Sequence, residues 1–186
     1  DFCEQWVKAI FERRLVSFAK LTLVPKSYEV IPDPDFKQTM KYVCISPMIP
    51  QTAFEVDAAG NIPEALDPRS HEFSDLFYDA VLDRMEKAGF TPEQMSDFAE
   101  FEIAPDPTYV GKIVDSHKKF ARIYKNNNNE TIFGYLLPFT LHAHPQVQKF
   151  IWECGIGLFT TQGYGMVDIV GQMPVASDEG EGQAEE

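Results

Sequence analysis

FIWECGIGLFTTQGYGMVDIVG, residues 150–171, carries four glycines in the pattern G-I-G-x5-G-Y-G, between a helix-like run and a strand-like run. Gly155, Gly157, Gly163 and Gly165 fall within eleven residues of a chain that has 11 glycines in all. Glycine is tolerated where φ must be positive or where a second backbone or a ligand approaches closely, so the cluster marks a shaped loop. It fails the nucleotide fingerprints. No G-K-[ST] is present, Thr160 stands where a third dinucleotide-type glycine would fall, and a helix rather than a strand precedes the loop. Two readings remain: a tight helix-to-strand connection, or a set of amides that positions a phosphodiester.

Working outward, the flanking runs are a helix over 142–153, with Pro145 in its first turn, and a strand over 166–170. Upstream, 118–125 and 131–141 alternate like strands and are joined by Asn126 to Asn129, residues that accept positive φ, so they read as a hairpin. A short strand over 98–103 follows a helical turn at 90–96. Residues 71–88 place Phe73, Phe77, Val81 and Met85 at i, i+4 spacing, with Ser70 or Ser74 as cap and Gly89 as stop. Residues 42–49, YVCISPMI, read as a buried strand. From residue 41 the order is strand, helix, strand, strand, helix, strand. That is an α+β, ferredoxin-like (βαββαβ) domain.

Before it, residues 2–19 read as an amphipathic helix and 20–31 as strand sequence broken by Pro25. Pro32-Asp33-Pro34-Asp35 then reads as a linker. The expected organisation has three parts. Residues 1–40 are the tail of an N-terminal ferredoxin-like domain and its linker, 41–171 the C-terminal ferredoxin-like domain with the glycine-rich loop, and 172–186 a disordered acidic tail. Asp1 in place of Met, and opening residues that look like mid-domain sequence, lead us to expect a fragment of a longer protein.

The 186 residues carry a formal charge of −13, which argues against a surface that is basic throughout. The charge is unevenly placed: 172–186 hold five acids and no base, whereas 8–26 and 112–125 each hold five bases and one acid. Three cysteines in no disulfide or zinc spacing fit a reducing, cytoplasmic location. No apolar run approaches the roughly 18 residues of a bilayer span, so no membrane partner is expected.

Within 112–125, Lys118, Lys119 and Arg122 alternate with Phe120 and Tyr124. Cations that track a backbone beside rings that stack bases suit single-stranded nucleic acid. The competing reading packs both rings in the core and leaves the lysines solvated. Arg13 and Arg14 on the first helix are further basic candidates. Among the histidines, His142 and His144 with Cys154 are three dissimilar groups without supporting acids, a poor metal set. His117 is a single proton-transfer group, where RNA cleavage by 2′-hydroxyl attack needs a donor and an acceptor. No metal and no cofactor are expected.

G-I-G-x5-G-Y-G followed by M-V-x-I-V resembles the C-terminal glycine-rich loop of the CRISPR repeat-RNA endoribonucleases of the repeat-associated mysterious protein (RAMP) superfamily. The resemblance takes in Ser46-Pro47-Met48-Ile49, the helix from Phe73 and the hairpin with Gly134, and so spans about residues 41–171. It implies two tandem ferredoxin-like domains that bind CRISPR repeat RNA (pre-crRNA) and cleave it without metal in antiviral defence, with other CRISPR effector proteins as further partners. The family's usual catalytic His lies on an early helix of the N-terminal domain, before Asp1 in this frame, so no catalytic residue is assigned here. The implied RNA-binding set is Gly155, Gly157, Gly163, Tyr164 and Gly165. Because 158–162 carry no base, weight shifts to Lys118, Lys119, Arg122, Tyr124, Arg13 and Arg14. The alternatives are a non-catalytic structural subunit of a CRISPR effector complex and an unrelated ferredoxin-like interaction domain.

Overall fold

The computed structural model describes residues 2–18, 20–30, 32–55 and 59–171, in two units, Asp1–Asp35 and Phe36–Glu186. The expected tail at 172–186 lies outside the described residues. In the first unit, helix α1 (Phe2–Arg13) leads into a hairpin of β1 (Val16–Phe18) and β2 (Leu21–Leu23), with Val16 opposite Leu23. The helix expected over 2–19 therefore stops at Arg13. Arg14 turns the chain with φ 59, and the β-branched Val16 enters the hairpin instead. Phe11 meets Tyr28 edge-on at 5.6 Å.

The second unit runs β3 (Thr39–Cys44), α2 (His71–Lys87), α3 (Pro92–Met95), β4 (Phe101–Pro105), α4 (Pro107–Asp115), β5 (Ala121–Lys125), β6 (Thr131–Tyr135), β7 (Phe139–Ala143), α5 (Pro145–Cys154) and β8 (Val167–Ile169). Its main sheet has the order β4-β7-β3-β8, and every pair is antiparallel. The first strand thus sits beside the third and fourth of the four, which is the ferredoxin-like arrangement. Strand alternation sends Tyr42, Ile103, Leu141 and Val167 into the core, where Phe73, Phe77 and Met85 of α2 and Val147 and Ile151 of α5 also lie.

Local chemistry starts and stops these helices. The Ser70 hydroxyl accepts from the Phe73 amide, and α2 ends in a left-handed Gly89, φ 99, with the Phe90 amide donating to the Met85 carbonyl. His144 caps α5 and Pro145 takes its first turn, so the strand-to-helix boundary falls two residues later than expected, after His142 and Ala143 have entered β7. Gln148 on α5 is fully buried but fully bonded. It accepts from the Tyr42 hydroxyl at 2.9 Å and donates to the Leu141 and Gln38 carbonyls.

Two further differences concern the hairpin and the segment before it. The run 131–141 is not one strand: β6 pairs with β5 in a separate two-stranded sheet, while β7 pairs with β3 and β4. Pro138 stands between them, and a residue without an N–H divides a strand readily. Helix α4 was not anticipated, because Gly111 in its middle weakens the periodic signal. Asp106 caps it through the Tyr109 amide at 2.9 Å, and His117 closes it with φ 52, where glycine is usual.

Gly134 on β6 admits Tyr124. A Cβ there would lie 2.7 Å from the Tyr124 ring and 2.9 Å from Pro47 Cβ. Gly134→Ala should cost about 1–3 kcal/mol by overpacking, measured by urea unfolding, and Tyr124→Leu in the same chain should recover most of it. A second expectation concerns pH. Burial pushes the Cys44 thiol, which donates to the Leu137 carbonyl at 3.1 Å, up from 9.0 to about 11, and raises Tyr42 as well. Both groups favour the protonated form in the fold, so the stabilisation from Cys44 is complete below pH 9 and is lost as pH rises through 11, while that from Tyr42 begins to be lost only above pH 10. Tm followed by circular dichroism should be flat through pH 7–9 and fall steadily above it. A Tm that holds level to pH 11 would contradict this.

Candidate functional site

Helix α5 hands the chain to the glycine loop at Gly155, and the loop folds back on itself before β8. The Ile156 amide donates to the Gly165 carbonyl at 2.8 Å, and the Gly165 amide to the Pro47 carbonyl at 2.8 Å. The Leu158 amide donates to the Ile49 carbonyl at 2.9 Å. Residues 46–49 are therefore the platform on which the loop rests. They also hold the hairpin, since Met48 and Tyr135 exchange backbone hydrogen bonds of 2.9 and 3.0 Å.

The glycines serve this contact. At Gly165, with φ 70, a Cβ would lie 2.0 Å from the Ile156 carbonyl oxygen. At Gly157, with φ 83, it would lie 2.5 Å from the Ile49 oxygen and 2.6 Å from the Phe77 ring. At Gly155 it would lie 3.0 Å from the Gly165 oxygen, whereas Gly163 faces open space. Three of the four glycines admit protein, and only Gly163 is free to admit anything else.

Arg84, one turn from the end of α2, fastens the loop from below. Its guanidinium donates to the carbonyls of Cys154 at 2.5 Å and Gly155 at 2.9 Å, and it stands over the Phe150 ring at 5.2 Å. These carbonyls are the negative end of α5, so the cation answers both their unmet hydrogen bonds and the helix dipole. Burial lowers the Arg84 pKa from its ordinary value, yet an arginine stays charged at neutral pH. The reading from sequence missed Arg84. On α2 it looks like any surface cation, and its partners lie about 70 residues away in the chain.

The structure joins this loop to the hairpin. The Tyr164 hydroxyl donates to the Lys125 carbonyl at 2.9 Å, the Asn127 amide to Gln162 Oε1 at 3.0 Å, and the Tyr124 and Tyr164 rings meet edge-on at 6.3 Å. Lys118 and Lys119 precede β5 and Arg122 lies on it, all three exposed. Tyr124 is half-buried over Gly134, and Phe120 is covered by Arg69 at 5.7 Å. Hairpin cations and glycine loop thus belong to one continuous assembly. Arg13 and Arg14 are exposed in the first unit, at the end of α1.

Three of the four histidines, His117, His142 and His144, have local structural partners. His142 Nδ1 lies 2.9 Å from the Thr39 hydroxyl, and His144 Nδ1 accepts from the Gln146 amide while its ring sits on Phe98. His117 Nδ1 lies 3.2 Å from the Asp115 carbonyl. His144 and Cys154 stand at opposite ends of α5, about 15 Å apart along a helix of that length. Among the described residues no group of three or more His, Cys, Asp or Glu is placed to hold a metal ion, and no helix is long and apolar enough to cross a membrane.

Residues 31–169 match the family described as CRISPR associated protein Cas6, C-terminal. Among solved structures the fold is similar to that of a Cas6-related gene product from Pyrococcus furiosus, with 20% identity and a TM-score of 0.64 over 92% of this chain and 64% of that one. It is also similar to a CRISPR associated protein Cas6, with 19% identity and a TM-score of 0.63 over 91% of this chain and 63% of that one. A third is a RAMP protein that binds different RNA substrates, with 18% identity and a TM-score of 0.61 over 91% and 64% of the two chains. The chain therefore spans just under two thirds of the length of these proteins. No curated protein matches the sequence.

The packing of the loop predicts unequal costs for the same change. Gly165→Ala should destabilise by about 3 kcal/mol or more, through both the clash and the left-handed φ. Gly163→Ala should cost only the backbone share, about 1–2 kcal/mol. Urea unfolding of the two variants gives the comparison, and equal losses would mean that the loop is not packed as described.

Proposed function

The chain belongs to the family of CRISPR associated protein Cas6, C-terminal, and on that premise we propose that it binds CRISPR repeat RNA through the hairpin β5–β6 and the glycine loop. The observation that carries this reading is the joint between the two, with Tyr164 bonded to the Lys125 carbonyl and set against Tyr124, inside the region matched to the family. Lys118, Lys119 and Arg122 supply the phosphate contacts, and Tyr124 and Tyr164 the stacking surfaces. Residues 155–165 act chiefly as a scaffold. Their middle carries no base, most of their amides are spent on the protein, and they start at the carbonyl end of a helix, the wrong pole for an anion.

We assign metal-independent processing of the repeat to the whole protein, at the level of the family, and no catalytic residue among these 186. His117 and His144 cap helix ends and His142 supports a strand. In the same proposal residues 1–40 are the closing part of an N-terminal ferredoxin-like domain, the protein works in the cytoplasm, and other CRISPR effector proteins are further partners. A structural subunit that holds repeat RNA without cutting it is the second reading, supported by those same local roles of the histidines.

Binding of a hairpin repeat RNA, followed against salt, tests the interface. Affinity should fall steeply as salt rises. Replacing Lys118, Lys119 and Arg122 with Ala should weaken low-salt binding 10- to 100-fold and lower the slope of log K against log salt by about 2. No binding at low salt, or a triple variant that binds as well as the parent chain, would remove the proposal. Site-specific cleavage of labelled repeat by the full-length protein separates the processing reading from the structural one.

A further inference from the structure

Arg84 is a cation without an anion. It forms no ion pair among the described residues, in a chain where acids outnumber bases 29 to 16. It is half-buried, and its donors go to main-chain carbonyls: Cys154 at 2.5 Å, Gly155 at 2.9 Å and, more weakly, Gly157 at 3.4 Å. A planar guanidinium serves several carbonyls while lying over the Phe150 ring, which the point charge of an ammonium does not. The peptide units it grips are held from the other side as well. The Ile156 amide donates to the Gly165 carbonyl and the Leu158 amide to the Ile49 carbonyl. Next to Gly165, the Tyr164 hydroxyl reaches the Lys125 carbonyl, and Gln162 accepts from the Asn127 amide. A connected series of hydrogen bonds thus runs from the last turn of α2, through the loop, to the hairpin. Among the described residues Arg84 itself has no hydrogen bond or ring contact with the hairpin.

We propose that Arg84 is a positioning residue for the RNA-binding surface. It fixes the glycine loop against α2, and through Tyr164 and Gln162 the loop fixes the hairpin that carries Lys118, Lys119 and Arg122. The consequence for RNA rests on the function proposed above, whereas the relay from Arg84 to the hairpin stands without it. Coupling carried by packed and hydrogen-bonded groups amounts to a factor of about 2 to 30 in affinity. A residue of this kind has its own signature. A cation that meets phosphate adds to the salt dependence of binding. One that only places other groups changes the affinity and leaves the salt slope alone.

The test compares three variants of the full chain. Arg84→Met keeps an unbranched stem, Arg84→Lys keeps the charge, and Lys87→Met removes an exposed cation from the same turn of α2. Without RNA, both Arg84 variants should shift the Asn127 amide and the Tyr124 and Tyr164 ring resonances, and Lys87→Met should leave them in place. Shifts confined to residues 150–158 would overturn the relay, and Arg84→Lys decides this arm if Arg84→Met does not fold. Hairpin repeat RNA forms the second arm. Arg84→Met should bind about 3- to 10-fold more weakly than Lys87→Met at low salt, with the same slope of log K against log salt. Arg84→Lys should lose a similar amount, because the fork rather than the charge places the loop. A slope lower by about 1 than that of Lys87→Met would make Arg84 a phosphate contact, and equal affinity would make it a support of the fold alone. Either result overturns the proposal. A parent chain that does not bind repeat RNA removes the function proposed above, and the resonance shifts then decide the relay by themselves.

Discussion

Backbone lying directly on backbone at residues 46–49 is the constraint on which the rest of the second unit depends. Pro47 and Ile49 accept from Gly165 and Leu158, Met48 exchanges bonds with Tyr135, and the Ser46 hydroxyl accepts from Met166. Four residues after the first strand thus set the position of the glycine loop, the hairpin and the entry to the last strand. Close approach of this kind leaves no volume for side chains, which is why Gly157 and Gly165 occur where they do, and why the ring of Tyr124 needs Gly134. Interiors are packed too densely for an added methyl group to be absorbed without movement.

Electrostatics then divides the roles. The loop begins at the carbonyl pole of α5, and the protein answers that pole with Arg84 from another helix rather than leaving it to solvent. The result is a stiff, uncharged support. Positive charge is placed next door, on Lys118, Lys119 and Arg122, where it is exposed and, in the proposed function, meets phosphates. A net charge of −13 does not oppose this, because at physiological salt charges more than about 8 Å away are largely screened. Local sign decides what a face attracts.

Legibility followed the range of the interactions concerned. Helix α2 could be read because its signals are local: the Ser70 cap, the four-residue spacing of Phe73, Phe77, Val81 and Met85, and the Gly89 stop. Helix α4 escaped because Gly111 interrupts a short amphipathic run, although Asp106-Pro107 was a usable start signal. The end of α1 and the division of 131–141 turned on which strands would pair. Pairing partners are distant in sequence, and both halves of 131–141 have strand character. Of the candidate site, the basic alternation at 118–125 and the glycine spacing were visible at once. Arg84 was not, since nothing on α2 distinguishes a cation that will meet carbonyls at residues 154–157 from one that will meet water.

By itself, then, the sequence determined the ferredoxin-like order of the second unit, the shaped loop between α5 and β8, and the uneven placement of charge. All of these are written in periodicities and compositions that act over a few residues. Only the tertiary structure decided what the loop is for. Its glycines could equally have faced a ligand, and the packing turns three of them toward Ile49, Ile156, Phe77 and Gly165. It also decided that loop and hairpin are one assembly, through Tyr164 and Gln162, because a hydrogen bond between residues 39 apart forms only once the core has brought them together.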